Sequence, residues 1–318
     1  MQTASGATIR GDLHDVTSEY ANDIEGQFMG LDILPPMEVK RKESSFKRLK
    51  LENITDPSSD GKRASGGAYD RQQSEVENDT YACLEYGFEG PIDDGDRANY
   101  ENYFDAEVEE TKVQRFRLRR AQEVRIAALV WSTATFSGFT AAVTTEWDNV
   151  AAVPYNDIQD AILTLKQQVG GALGSSEICM AFSEKVFRNV VQTTQIQAKI
   201  KGGAGSILDK SSGADMIGAA RLADILGVNK VFYSPAQNEA ADIWDDEYAL
   251  LYLRNTGAAR SEVQCGRSPL WTRMTPENSF VETYQEPGVS SIIVRAKQFV
   301  DEKIFFAGAG YLFSNITS

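Results

Sequence analysis

Histidine is all but missing from this sequence: one imidazole, His14, in 318 residues. Serine and cysteine nucleophiles need a base beside them, so a histidine-based triad is effectively excluded. Cysteine is scarce too. Cys83, Cys179 and Cys265 lie more than eighty residues apart without a CxxC spacing; zinc needs clustered soft ligands, and buried thiols are the expected state. No apolar run reaches the ~18 residues of a membrane-spanning helix. The N-terminus, MQTASGATIRGDLHDV, lacks the apolar core of a signal peptide. Synthesis in the cytoplasm is expected, with the sequons at Asn53, Asn78 and Asn315 arising by chance. Positive charge is in deficit: 32 Lys and Arg face 46 Asp and Glu, for a net charge of −14 and a pI near 4.7. That argues against coating nucleic acid by charge neutralisation. The glycines of GGAG at 202–205 and GAG at 308–310 match neither a Walker A loop nor a dinucleotide fingerprint; they predict a flexible loop and a β-turn. The pairs Asp93–Asp94 and Asp245–Asp246 read as solvated acids rather than acid–base machinery.

What is present is globular: 42% hydrophobic and 25% charged residues, in a chain long enough for one large domain or two smaller ones. Residues 1–45 read as a polar arm, with a stop at Pro35–Pro36, the basic run KRK at 40–42 and a short amphipathic helix suggested at Val16–Phe28. SFKRLKLEN and TYACLEYGF then predict the two strands of a long hairpin, with Ala82, Leu84, Tyr86 and Phe88 on one face. About two dozen residues rich in Ser, Gly, Asp and Arg separate them, far more than a hairpin turn needs. Next comes DAEVEETKVQRFRLRRAQEVRIAALVW, without Gly or Pro. Capped at Asp96 or Asn99 and unbroken to Phe136, it predicts a helix of roughly 35–40 residues, about 50–60 Å long. Acids (Asp105, Glu107, Glu109, Glu110) precede bases (Lys112 to Arg125), which suits the helix dipole. Val113, Phe116, Val124, Ala127 and Trp131 give the expected apolar stripe, and the first half is polar around most of its girth. The block RFRLRR at 115–120 could meet phosphates or partner carboxylates.

From Pro154 the pattern becomes α/β. NDIQDAILTLKQQVGG predicts a helix on Ile158, Ile162, Leu165 and Val169, stopped at Gly170–Gly171. SEICMAF is a strand and SEKVFRNVV a helix capped by Ser183. After the loop IKGGAGSILDKSSG, ADMIGAARLADILG is a helix ending at Gly227, and VNKVFYS and DEYALLYLR are strands. Trp244, beside Asp245–Asp246, is expected to pack at a strand start. SFVETYQE, SSIIVRAKQFV and EKIFFAGAGYLF complete the chain as strands.

This order of parts resembles the major capsid proteins of tailed bacteriophages, with the Hong Kong 97-type fold, over nearly the whole chain. YACLEYGFEGPIDD is similar to the return strand of that family's extended loop entering its spine helix. SEICMAFSEKVFRNVV is similar to its axial-domain strand and helix, and RLADILGVNKVFYSPA with IWDDEYALLYLR to the helix and strands that follow. The resemblance implies an α+β fold with an N-terminal arm at 1–45 and an extended β-hairpin loop at 46–95. The spine helix and peripheral domain would take 96–153 with the C-terminal strands 266–318, and an α/β axial domain 154–265. It implies a non-enzymatic protein without cofactor or metal, which assembles with its own copies into pentamers and hexamers of an icosahedral shell. The shell would enclose double-stranded DNA without sequence-specific binding, form in the host bacterial cytoplasm, and become the virion capsid, with no membrane involved. Implied partners are a portal and decoration proteins; because residues 1–45 are too few for the built-in scaffold of some members, the resemblance implies a separate scaffolding protein, or none. Candidate intersubunit contacts are Lys62, Arg63 and Arg71 on the loop, and Arg115, Arg117, Arg119 and Arg120 on the helix. One branch of the family joins a loop lysine to an asparagine of a neighbour; here Lys62 sits between Gly61 and Arg63 in a wet setting, and Asn255 and Asn278 are the asparagines available. A non-covalent shell is therefore expected. Two other readings stand beside this one: an encapsulin-like shell around enzyme cargo, and an α/β enzyme on 155–255, which would need a polar constellation at its strand ends that the sequence, without His or a phosphate loop there, does not supply.

Overall fold

The computed structural model describes residues 8–9, 27–50, 60–63, 65–69, 71, 75–95, 105–171, 176–202, 218–239, 241–257, 263–272 and 279–318. The elements in chain order are β1 (Thr8–Ile9), α1 (Gly30–Ile33), β2 (Pro36–Val39), β3 (Glu43–Leu49), β4 (Val76–Ala82), β5 (Leu84–Asp93), α2 (Ala106–Val130) and β6 (Thr140–Ala142). Then follow α3 (Pro154–Gln168), β7 (Glu177–Ser183), α4 (Glu184–Gln192), α5 (Thr194–Gly202), α6 (Ala219–Leu226), β8 (Lys230–Ser234), β9 (Gln237–Asn238) and β10 (Ala241–Asp242). The last are β11 (Ala249–Arg254), β12 (Gly266–Trp271), β13 (Phe280–Glu286), β14 (Ser291–Val300), β15 (Lys303–Ile304) and β16 (Gly310–Ser314).

In the α/β stretch, helical and strand periodicities translate directly. Ile158, Ile162 and Leu165 of α3 are buried, as is Val169 beyond it, and Gly170 and Gly171 take positive φ where the helix stops. Ser183 caps α4 by accepting from the Val186 N–H at 3.2 Å, and Gly227 closes α6 in the left-handed region. Their apolar faces pack on a five-stranded sheet ordered β6–β16–β11–β7–β8, whose core includes Trp147, Leu165, Phe182, Phe187, Leu226, Leu251 and Phe313. β11 is buried over five of its six residues, the mark of a central strand covered on both faces.

The second sheet is built on β14. It pairs with β13 from Ser291 to Lys297 on one side and with all ten residues of β5 on the other. β12, β2 and β15 extend it, and β1 adds to the outer edge of β13. α2 lies across this sheet. Its first turn packs Ala106 and Val108 on Ile92, Val281 and Val294, and Gly90 lets it come close: a Cβ there would stand 1.7 Å from Glu110. The other end of α2 enters a cluster of Met29, Ile126, Val130, Trp131, Phe136, Trp244 and Tyr252 between the two sheets.

Several expectations need correction. α2 has 25 residues, capped by Asp105 accepting from Glu107 and Val108, and it ends at Val130 rather than Phe136. At 1.5 Å per residue it is about 37 Å long. The proposed caps Asp96 and Asn99 lie outside the described residues, as do Val16 to Gly26. The expected stripe holds at Ala127 and Trp131, which are buried, but not at Val113, which is 41% exposed; Thr111, Gln114, Leu118, Gln122, Glu123, Ile126 and Val130 complete the inward face. The first half is thus covered by the sheet along one face, through small and polar side chains. TYACLEYGF is two strands broken at Cys83, and it is Tyr81 and Cys83 that are buried there, with Leu84 and Phe88 exposed. The C-terminal segment divides between sheets, since β16 joins the five-stranded one. All three thiols are free and buried.

Candidate functional site

Two structural features meet at α2, and a set of basic residues is divided between α2 and the long loop. The first is a joint around Glu123, which is 2% exposed. Its Oε1 accepts from the Met29 N–H (2.8 Å), the Gly30 N–H (2.9 Å) and the Trp244 indole N–H (2.8 Å), and its Oε2 accepts from Gly30 at 3.0 Å. One carboxylate therefore ties the N-terminal segment, the long helix and the loop before β11. Burial raises its pKa, against these three donors and nearby Arg119, which pull it down. Gly30 is required for closeness: a Cβ would stand 2.5 Å from Oε2. Trp244, expected at a strand start, is fully buried edge-on to Trp131, with ring centroids 4.7 Å apart.

The second is the root of the β3–β4 hairpin. Among the described residues these strands pair only with each other, from Glu43↔Ala82 to Leu49↔Val76. The turn Asp301–Glu302–Lys303 grips their base. Asp301 accepts from the Ala82 N–H at 3.1 Å, Lys303 pairs with Asp79 and the Thr80 carbonyl, and Glu302 pairs with Arg125 of α2 at 2.8 Å. Arg125 in turn lies over the Tyr86 ring at 3.6 Å. Phe46 packs on Phe305, and Arg48 on Phe306. Beyond this root, β4 alternates exposed and half-buried residues from Val76 to Thr80.

The third is the set of basic residues singled out in the sequence. On α2, Arg117 is exposed, while Arg115, Arg119 and Arg120 are half-buried. Arg119 donates to Gln122 at 2.7 Å and Arg120 lies over Phe116 at 4.6 Å, so both serve the helix itself. On the long loop, Lys62, Arg63 and Arg71 are exposed; Lys62 gives its backbone N–H to Asp60, and Arg63 folds back onto the Gly67 carbonyl and the Tyr69 ring. Asn255 is buried and its Oδ1 accepts from the Gly257 N–H at 2.7 Å, which makes it a turn-forming residue rather than an accessible amide. Asn278 lies outside the described residues.

An enzyme on the α/β stretch would place its chemistry beyond the ends of β7 and β8. A polar cleft of about 370 Å³ is there, lined by Ser183, Lys185, Arg188, Ser234 and Asp242. Its polar groups are spent on structure: Asp246 accepts from Ser183 at 2.6 Å and pairs with Lys185 at 3.0 Å, Arg188 pairs with Glu184, and Ser234 donates to the Gln27 carbonyl.

No family model matches the sequence, and no curated protein does. Solved structures match across almost its full length. A phage-related protein from Bordetella bronchiseptica RB50 aligns with a TM-score of 0.68 at 14% identity, covering 98% of each chain. The capsid of the cyanophage P-SCSP1u aligns at 0.59 and 12% identity, over 89% of this chain and 86% of that one. An encapsulin complex from Synechococcus elongatus aligns at 0.53 and 12% identity, over 90% and 86%. The chain has the Hong Kong 97-type fold. Within this Hong Kong 97-type chain, sequence reasoning missed Glu123, Arg125 and the 301–303 turn. Their partners stand 94, 177 and more than 200 positions away, and no local pattern marks them.

Proposed function

We propose that this chain is the major capsid protein of a tailed double-stranded DNA bacteriophage. Copies assemble into pentamers and hexamers of an icosahedral shell that encloses the genome. The observation that carries this reading is the hairpin β3–β4, clamped at its root and paired with no other described strand. Phe46 and Tyr81 anchor the hairpin in its own chain, and the exposed positions of β4 beyond them, Val76 among them, are the surface that such an arm would set on a neighbouring copy. In this reading the hairpin is the extended loop, α2 the spine helix on the peripheral sheet, and the five-stranded sheet the axial domain. The net charge of −14 suits a lining that encloses DNA without gripping it. Lys62, Arg63, Arg71 and Arg117 serve as contacts between copies. A portal, a scaffolding protein and decoration proteins are its partners, and the host cytoplasm is where it assembles.

Expression alone and with the scaffolding protein, followed by sedimentation and negative-stain microscopy, tests this. Capsomers or closed particles are expected; a monodisperse monomer or dimer across salt and protein concentration would refute it. The likeness to an encapsulin supports a second reading, a shell around enzyme cargo. Particles isolated with protein cargo in place of DNA would favour it.

A further inference from the structure

Two Asp–Gly steps occur in the sequence, Asp60–Gly61 on the long loop and Asp94–Gly95 between β5 and α2, and no Asn–Gly step. Such a step is chemically labile, because glycine has no Cβ to keep its amide nitrogen away from the aspartate side chain. All four residues are exposed, so access of water does not distinguish the two steps. Their backbones do. The Gly95 N–H donates to Asp93 Oδ1 at 2.8 Å and the Asp94 N–H to the Ser290 carbonyl at 3.1 Å, and both residues are helical. The Gly95 nitrogen is thus held on Asp93 rather than left to approach Asp94 Cγ. On the loop, Gly61 takes φ +65°, and beyond its chain neighbours no atom lies within 4 Å of where a Cβ would stand. The Lys62 N–H donates to Asp60 Oδ1 at 3.1 Å, which lays the Asp60 carboxyl group alongside the Gly61 peptide.

We propose that Asp60 is a site of spontaneous isomerisation to isoaspartate, which inserts a methylene into the main chain of the loop. The Gly61 nitrogen attacks Cγ of the protonated Asp60 carboxyl group. The N–Cγ bond forms, the Cγ–OH bond breaks, and the hydroxyl leaves as water with the amide proton. This closes a five-membered succinimide through Cα, Cβ, Cγ and the carbonyl carbon of Asp60 and the nitrogen of Gly61. Water then adds at that carbonyl carbon, its bond to the nitrogen breaks, and the nitrogen regains a proton. The main chain now runs through Cβ and Cγ, and the former carbonyl carbon carries the free carboxylate. One water leaves and one returns, so mass is unchanged and no co-reactant is needed. Ring closure of this kind depends on the reacting atoms being held near attack distance, which is the respect in which the two Asp–Gly steps differ. The product displaces Lys62 and Arg63, two of the proposed contacts between copies, but its formation does not depend on the shell reading.

The test ages the purified full chain in neutral buffer, native and in urea, and digests it with trypsin beside an unaged sample that sets the background. Cleavage after Lys50 and Lys62 isolates Asp60, and cleavage after Arg71 and Arg97 isolates Asp94. In the native sample the first peptide should split into two peaks of equal mass, with fragment ions placing isoaspartate at Asp60. Its conversion should lead that of the second peptide on the order of 10- to 100-fold, and the lead should shrink in urea, where both backbones are released. Methyl uptake with an isoaspartyl methyltransferase counts the product per chain, and Asp60→Ser should reduce it to background. Asp60 unaltered in the aged native chain, or isomerising with no larger lead over Asp94 than in urea, would overturn the proposal. Undiminished methyl uptake in Asp60→Ser would overturn it equally. None of these readouts requires particles, so failure of the shell reading would show separately.

Discussion

Glu123 gathers three N–H donors from two distant parts of the chain, and no other described group at that joint accepts from Met29 and Gly30. Truncation to alanine leaves these donors buried and unpaired; we expect Glu123→Ala to cost about 2–5 kcal/mol in denaturant unfolding. Glu123→Gln keeps one carbonyl oxygen but aims an amide N–H₂ at a backbone donor, so a smaller loss is expected. The pH dependence has a defined sign. Burial places the folded-state pKa above the ordinary 4.5. The carboxyl group's contribution is then full below the unfolded value and is lost as pH rises through the folded one. The stability advantage of the native chain over Glu123→Gln should accordingly shrink as pH climbs above 4.5, measured by urea unfolding. An advantage that grows with pH would mean that the donors, not burial, dominate the site.

At the scale of elements, what could be read from the sequence depended on whether burial was apolar. α3, α4 and α6 present Ile, Leu, Val and Phe to one sheet, so their periodicity alone locates them. α2 does not. Its inward face is half polar, Thr111, Gln114, Gln122 and Glu123 among the buried residues, so the apolar positions locate Ala127 and Trp131 correctly but misplace the N-terminal half, where Val113 is exposed. The strand break at Cys83 is likewise tertiary: the Cys83 N–H bonds to the Lys42 carbonyl, and its Sγ lies 3.5 Å from the Pro269 carbonyl. β16 belongs to the five-stranded sheet because β11 accepts it as a partner, not because of its own composition. The hairpin was legible only in part: of TYACLEYGF only Thr80–Ala82 lies in β4, while Leu84–Phe88 belong to β5 and pair with β14 in the other sheet. Its oversized polar loop gives an element-level prediction: removing residues 56–75 should leave circular dichroism and thermal unfolding of the subunit close to normal while particle formation fails under the microscope. Loss of the subunit's fold would place that segment in the core.

The basic turns of α2 divide in the same manner. Arg120 stacks on Phe116 and Arg119 bonds to Gln122, so reversing either disturbs the subunit itself. Arg117 is exposed. A single exposed pair contributes only about 0.2–1 kcal/mol, but a shell repeats each contact in every subunit. Arg117→Glu should therefore leave the melting temperature of the subunit unchanged while lowering particle yield and making assembly salt-sensitive. Unchanged assembly with reduced DNA retention would assign Arg117 to the genome instead.

For the whole molecule the question is what holds copies together once assembled. A covalent lock needs a neutral lysine amine, which requires desolvation, and an amide carbon held close to it. The subunit alone does not desolvate Lys62. It is exposed, its neighbour Arg63 turns away to Gly67 and Tyr69, and the chain around it is Ser-, Gly- and Asp-rich. Asn255 is buried under its own turn, with Oδ1 engaged by Gly257 and Nδ2 3.5 Å from Ser176 Oγ. In the proposed shell, cohesion would then come from surfaces: the hairpin on a neighbour and the exposed Leu84 and Phe88 of β5. All of these are reversible. Particles boiled in denaturant under reducing conditions should run as a single band at 35.0 kDa. A ladder of multimers that disappears in Lys62→Ala would show that Lys62 is desolvated in the shell by a neighbour that the isolated subunit does not contain.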